Sequence, residues 1–178
     1  MKKILLTWYG ITDLRASFEI EYSNGPVFSA LMAENYADVL ILGFTNKEKN
    51  NTNEEDFKKE LLESQIAFKE NRQFDIWSFI NKYSNTDLAH NHFISWIKQK
   101  LEKEEIKTGL NFHSVELSHL NDTEGIYNIA VQALDIVEKW KVEKEVFLYL
   151  SPGTPVMAFV WAFAALRYPN LNKKLLAS

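Results

Sequence analysis

Residues 145–163, EVFLYLSPGTPVMAFVWAF, constrain the fold of this chain more than any other stretch. An apolar run is broken once, by Ser-Pro-Gly-Thr-Pro, and then resumes. A membrane-spanning helix needs about 20 uninterrupted apolar residues. Residues 146–166 reach that length only by running through Pro152, Gly153 and Pro155. Pro152 and Gly153 break helices, whereas Pro155 suits a first helical turn. The pieces on either side are the length of a strand and of a helix. The stretch therefore predicts a buried strand (145–150), a loop and a helix (155–168), with no membrane span.

The rest of the chain repeats that alternation. Residues 1–8 carry Ile4, Leu5 and Leu6 in a run, as a parallel strand covered on both faces does. YGITD (9–13) ends this strand with a glycine turn, residues 14–25 are ambiguous, and SNGP (23–26) signals a turn before a short helix. ADVLILGF (37–44) reads as a second strand. Thr52 and Glu55 form a T-x-x-E capping box for a helix carrying Phe57, Leu61, Leu62 and Ile66. FDIWSFINKYSNTD (74–87) is unassigned, and Asp87 is placed as the cap of a helix to about Lys103. LNFHSVEL (110–117) is a third strand. Ile126, Ile129, Ala130, Ala133, Leu134, Val137 and Trp140 then follow helical spacing on one face. KKLLAS (173–178) begins a fifth strand, inside which the chain stops, so the 178 residues read as one domain, either minimal or cut from a longer protein. This order implies an α/β fold: a doubly wound, mainly parallel sheet of about five to six strands with helices on both faces.

Composition excludes several functions. The apolar share of 46% and charged share of 25% are those of a globular protein. The net charge of −4, with lysines alternating with glutamates in KKELLE and KQKLEKEEIK, gives no basic cluster for a duplex. A small anionic ligand held by backbone groups stays open. No cysteine is present, so disulfides and thiolate metal sites are impossible, which fits a cytoplasmic protein. MKKILLTWYG has too short an apolar run, and no small-residue cleavage site, for a signal peptide.

SPGTP (151–155) lies at a strand-to-helix junction. Thr154 is a good N-cap, Pro155 a good first helical residue, and Gly153 permits close backbone approach. First-turn amides then offer a site for phosphate. Every such loop needs a cap and a turn, so local chemistry alone leaves a purely structural role open. Position adds to it. In a sheet of order 3-2-1-4-5, strands 1 and 4 meet at the topological switch point, where the ligand crevice opens. The loops after them are YGITD and SPGTP, both carrying glycine and threonine. No G-x-G-x-x-G and no phosphate-binding lysine loop is present, which disfavours ordinary NAD or ATP binding.

On these two motifs, and on their spacing across almost the whole chain, the sequence resembles the CARF domain (CRISPR-associated Rossmann fold). The resemblance implies a homodimer in which two copies of both loops line one cleft. It implies as ligand a cyclic oligoadenylate, most often the tetramer, made by type III CRISPR complexes on detecting foreign RNA. Gly10, Ile11, Thr12 and Asp13 would fall on the first binding loop, and Ser151, Pro152, Gly153, Thr154 and Met157 on the second. The expected role is a sensor without cofactor, metal or catalytic residues, passing a change in dimer geometry to an effector beyond Ser178. Some members of the family also cut the ring with the help of hydroxyls and often a lysine. Neither loop here contains lysine, and Arg15 and Lys47 are the nearest basic candidates in sequence. A similar domain fronts transcription activators of RNA-repair operons, which gives a third reading.

The remaining motifs are weaker. HNH (90–92) lacks the ββα metal context of the nuclease motif. His90 and His92, two apart on a helix, face different ways and cannot share a metal as i, i+4 ligands do. They read as surface or capping residues, and His113 has no visible partner. NEEDF and EKEE read as solvated helix surface. No arginine has a histidine four to six residues beyond it, so the R-x4–6-H motif of related RNases is not evident.

Overall fold

The computed structural model describes all residues, Met1–Ser178. Its elements in chain order are β1 (Lys2–Trp8), α1 (Ile11–Ser17), α2 (Pro26–Ala33), β2 (Asp38–Thr45), α3 (Glu54–Lys69), α4 (Ile76–Tyr83), α5 (Asp87–Lys103), β3 (Gly109–Glu116), α6 (Thr123–Lys139), β4 (Lys144–Tyr149), α7 (Pro155–Ala165) and β5 (Lys173–Leu176), with a 3₁₀ turn at Lys47–Lys49. The five strands form one sheet of order β3-β2-β1-β4-β5. Every pairing is parallel, β1 lying in register with β2 (Leu6 opposite Leu40) and with β4 (Thr7 opposite Tyr149). The doubly wound α/β class is as the sequence implies, with five strands.

Strand alternation divides the core in two. Leu5 and Tyr9 of β1, Val39 and Ile41 of β2, and Phe147 and Tyr149 of β4 face the layer of α1 to α5. Ile4, Leu6 and Trp8, with Leu42, Phe44, Val146 and Leu148, face α6 and α7. The continuous apolar runs of β1, β2 and β4 thus reflect burial on both faces. No helix is long and apolar enough to cross a membrane.

Several local expectations are corrected. The turn expected over 9–13 is shorter, because α1 starts at Ile11 and runs to Ser17 in the segment left ambiguous (14–25), so only Tyr9 and Gly10 connect β1 to α1. The unassigned segment 74–87 contains α4, with Phe79, Ile80 and Tyr83 buried. Asn53, not Thr52, caps α3, its side chain accepting from the Glu55 and Asp56 amides. Thr86, not Asp87, caps α5 and accepts from Ala89 N–H. In both cases the helix begins one residue away from the expected start, and the side chain able to reach two or three residues ahead becomes the cap. The buried stripe of α3 is Phe57, Leu61, Ser64 and Ala67, leaving Leu62 and Ile66 exposed. Trp140 stands just past α6 and is partly exposed.

Candidate functional site

The carboxyl ends of β1 and β4 lie side by side at the centre of the sheet. From there the chain turns one way to β2 and the other way to β5, so this is the switch point at which a crevice forms. Two loops meet in it. A Cβ on Gly10 would stand 2.9 Å from the backbone nitrogen of Gly153 and 3.4 Å from its Cα. No side chain fits between two main chains at that distance, so the first loop needs glycine there.

Asp13 shapes this first loop. It is 1% exposed, and its two carboxylate oxygens accept from Gly10 N–H at 2.9 Å and from Val27 N–H at 2.9 Å. It thereby ties the end of β1 to the start of α2. Burial pushes its carboxyl up to about 6, against the pull of those amide bonds. Ile11 and Thr12, in the first turn of α1, are exposed.

The second loop is built for a tight turn. Gly153 has φ +90°, in the left-handed region, and an added Cβ would meet Met157 Sδ at 2.8 Å. Thr154 caps α7, its hydroxyl accepting from Met157 N–H at 3.3 Å, and Pro155 follows as first helical residue. Met157 is buried beneath the loop. Ser151 is exposed, and its hydroxyl accepts from Ser178 N–H at 2.8 Å.

All nine residues singled out from the sequence line one cavity of about 240 Å³: Gly10, Ile11, Thr12, Asp13, Ser151, Pro152, Gly153, Thr154 and Met157. Sequence reasoning missed Tyr9, Phe44, Ser84, Asn85 and Leu120, which line it too. Phe44 and Leu120 lie at or after the carboxyl ends of β2 and β3, so strand order alone could have suggested them. Ser84 and Asn85 join α4 to α5 and lie in the 74–87 segment that the chain's pattern left unassigned.

No lysine, arginine or histidine lines the cavity. Arg15 pairs with Glu21 at 3.1 Å and lies over Trp77, and Lys47 pairs with Glu116 at 3.1 Å on the surface. The nearest cation by hydrogen bonding is Lys49, which the sequence did not point to. It is half-buried and donates to Ser84 Oγ at 3.1 Å, and burial lowers its ammonium pKa. The lining offers hydroxyls, main-chain amides and apolar surface, suited to a polar ligand held without a strongly basic wall.

Of the HNH pair, His90 is buried, contrary to the expectation of a surface or capping residue. His90 is 2% exposed within the layer under Tyr9. Tyr9 Oη bonds to His90 Nδ1, His90 Nε2 bonds to Thr45 Oγ1 at 2.9 Å, and Thr45 Oγ1 bonds to Ser114 Oγ. Burial pushes His90 down to about 4 and the Tyr9 phenol up, so both are neutral. Tyr9 therefore donates, and His90 carries its proton on Nε2. His92 turns away and bonds to the Ser17 carbonyl at 2.8 Å. The chain places no group of three or more His, Cys, Asp or Glu side chains together that could hold a metal.

No protein-family model and no curated protein matches the chain. Among solved structures, that of Enterococcus italicus Csm6 bound to cyclic hexa-2'-fluoro-hexa-dAMP is similar, with a TM-score of 0.63 at 16% sequence identity. The match covers 99% of this chain and 33% of that one, so the chain spans about a third of that protein's length. At this identity the likeness shows the fold, a Rossmann-like α/β domain.

Proposed function

We propose that this chain is a CARF-like sensor domain that binds a cyclic oligoadenylate, the tetramer above all, in type III CRISPR defence. It acts in the cytoplasm as a homodimer and passes its response to an effector. The observation that carries this reading is the meeting of the Gly10 and Gly153 loops, backbone against backbone, in a cavity lined by all nine expected residues. The similar Csm6 structure was solved with cyclic hexa-2'-fluoro-hexa-dAMP, a ring of six adenine nucleotides, which agrees with an adenine-nucleotide ring as ligand.

Size supports a shared site. Pockets for drug-sized ligands usually hold about 300–1,000 Å³. One chain offers about 240 Å³, enough for part of a ring of four nucleotides. Two cavities facing each other across a two-fold axis would take the ring in equal halves. The phosphates would then rest on the main-chain amides and hydroxyls of residues 10–13 and 151–154. Asp13 would serve by holding the first loop in shape, since both its oxygens are occupied by amides.

One observation favours a ring nuclease as second reading. Lys49 reaches Ser84, a lining residue, with an ammonium whose proton burial makes easier to lose. A lysine one hydroxyl away from the ligand could assist transfer of the ribose 2′-hydroxyl proton as its oxygen bonds the neighbouring phosphorus and the P–O5′ bond breaks. That would leave a linear product with a 2′,3′-cyclic phosphate and a protonated 5′-hydroxyl, without metal.

The test is calorimetric titration with cyclic tri-, tetra- and hexa-adenylate, followed by chromatography of the recovered ligand. One ring bound per two chains and recovered whole is the outcome expected of a sensor. Linear fragments, lost in Lys49→Ala, would establish the nuclease instead. A folded Thr154→Trp variant should bind no ring, because the indole would fill the second loop. Absence of heat with every ring would overturn both readings.

A further inference from the structure

Ser84 and Asn85, with Thr86 the three-residue connection between α4 and α5, are held unusually firmly for a loop. The Asn85 carbonyl accepts from Asn46 N–H at 2.9 Å, and Ser84 Oγ accepts from Lys49 Nζ at 3.1 Å. Just beyond, Asn50 Nδ2 donates to Asp87 Oδ2 at 2.8 Å while Asp87 N–H donates to Asn50 Oδ1 at 3.0 Å. Thr86 donates to the Tyr83 carbonyl at 2.6 Å and caps α5. The polypeptide from Asn46 to Asn50 thus clamps the connection at three successive places.

Within this clamp Asn85 has φ +63°. A side chain in the left-handed region costs about 1 kcal/mol, which glycine would avoid. Asparagine tolerates the region best when its carboxamide bonds to its own neighbourhood. Here the surrounding polar side chains are committed to one another, and the Asn85 carboxamide has no partner within the chain. Asn85 is a lining residue of the cavity.

The other lining groups cannot do what this one can. The hydroxyls and main-chain amides of the two glycine loops suit phosphate or sugar, and contacts of that kind carry no base selectivity. Tyr9, Phe44, Leu120, Pro152 and Met157 give apolar contact. Asn85 is the only lining side chain that presents a donor and an acceptor side by side in one plane. That pair matches one base edge. Adenine offers the N6 amino donor beside the N7 acceptor, whereas guanine and hypoxanthine offer two acceptors, N7 and O6.

We infer that Asn85 reads the base of the bound nucleotide, its carboxamide pairing with N6 and N7 of adenine. This rests on the cyclic-nucleotide reading given above and adds to it the residue that selects the base. Asn85→Gly is the informative variant, because glycine keeps φ +63° without strain and removes only the carboxamide. Cyclic tetra-adenylate and the cyclic tetramer of inosine monophosphate are titrated into both forms, and thermal unfolding is recorded.

The expected result is a preference of the wild type for the adenine ring by about tenfold or more, of the order that one bidentate pair gives. Asn85→Gly should bind the two rings equally, with a Tm equal to or above that of the wild type. Asn85→Asp, which keeps the shape but loses the donor, should lose adenine affinity likewise. If Asn85→Gly keeps the wild-type preference, or the wild type shows none, the assignment of Asn85 falls and the ring-binding reading stands. If the wild type binds neither ring, that reading falls and takes this assignment with it.

Discussion

Asp13 and His90 are both buried, and their titrations act on stability in opposite directions. His90 is pushed from an ordinary 6.5 down to about 4, so the unfolded chain takes up its proton first on acidification. Its contribution is full above pH 6.5 and is lost as pH falls through 6.5 towards 4. Asp13 is raised from 3.8 to about 6, so the folded chain takes up its proton first. Its contribution is full below pH 3.8 and is lost as pH rises through 6. From pH 7 to pH 5 the His90 loss is about 2 kcal/mol and the Asp13 gain about 1 kcal/mol, leaving a shallow decline. Asp13→Asn removes the gain and keeps the loss, so its stability in denaturant should fall by about 1 kcal/mol more than the wild type's over that range. Parallel pH profiles for the two proteins would contradict the opposition. At this scale the two residues were unequally legible. Asp13 follows a strand-ending glycine, which placed it at the site, although its bonds to Gly10 and Val27 amides had no signature. His90 sits in a polar HNH triplet, and only the rotation of α5 against the sheet decides that it is buried.

The caps of α3 and α5 were legible by type and missed by one residue. Asn53 and Thr86 each stand next to another residue able to cap, Thr52 and Asp87, and backbone geometry chose between them. α4 went unread although Ile76, Phe79, Ile80 and Tyr83 fall at i, i+3, i+4 and i+7, because eight residues give only about two turns in which to see the period. α7 posed the reverse problem, being apolar on every side. Its length and start were plain from Thr154-Pro155, but nothing in PVMAFVWAFAA says which face is buried. The structure buries Met157, Val160, Trp161, Ala164 and Ala165 and leaves Phe159 and Phe163 outward, 67% and 54% exposed, stacked at 6.1 Å with Leu166 next along. This stripe begins one turn from Thr154 and Met157, so an interface over it would bring two cavities together. If the proposed dimer forms over this stripe, substituting both phenylalanines by glutamate should convert it to a monomer in analytical ultracentrifugation. The fold should be unaffected, since exposed positions rarely change stability by more than about 0.5 kcal/mol. A double variant that remains dimeric would place the interface elsewhere.

For the whole molecule, strand order was the most informative expectation, because order 3-2-1-4-5 puts the two glycine loops side by side before any side chain is considered. What order could not convey is that β5 closes onto the same site. Leu150 N–H donates to the Leu176 carbonyl, Ser178 N–H donates to Ser151 Oγ at 2.8 Å, and Tyr149 Oη donates to Ser178 Oγ at 3.0 Å. Ser151 is a lining residue of the cavity, so its hydroxyl stands between a ligand and the end of the edge strand. A phosphate or ribose oxygen that accepts from this hydroxyl would turn its Oγ inward, away from Ser178 N–H. Ring binding would then reach β5 without movement of the sheet, by exchanging one hydrogen bond. Amide hydrogen exchange at residues 176–178 measures this directly. Ser151→Ala should speed exchange of Ser178 by about tenfold in the free chain, the equivalent of one hydrogen bond of about 1.4 kcal/mol. Saturating wild type with cyclic tetra-adenylate should speed it similarly, and the ring should add nothing in Ser151→Ala. If the ring binds and Ser178 exchanges at an unchanged rate, β5 is not coupled to the site through Ser151, and a signal must leave the cavity by α7 or α1 instead.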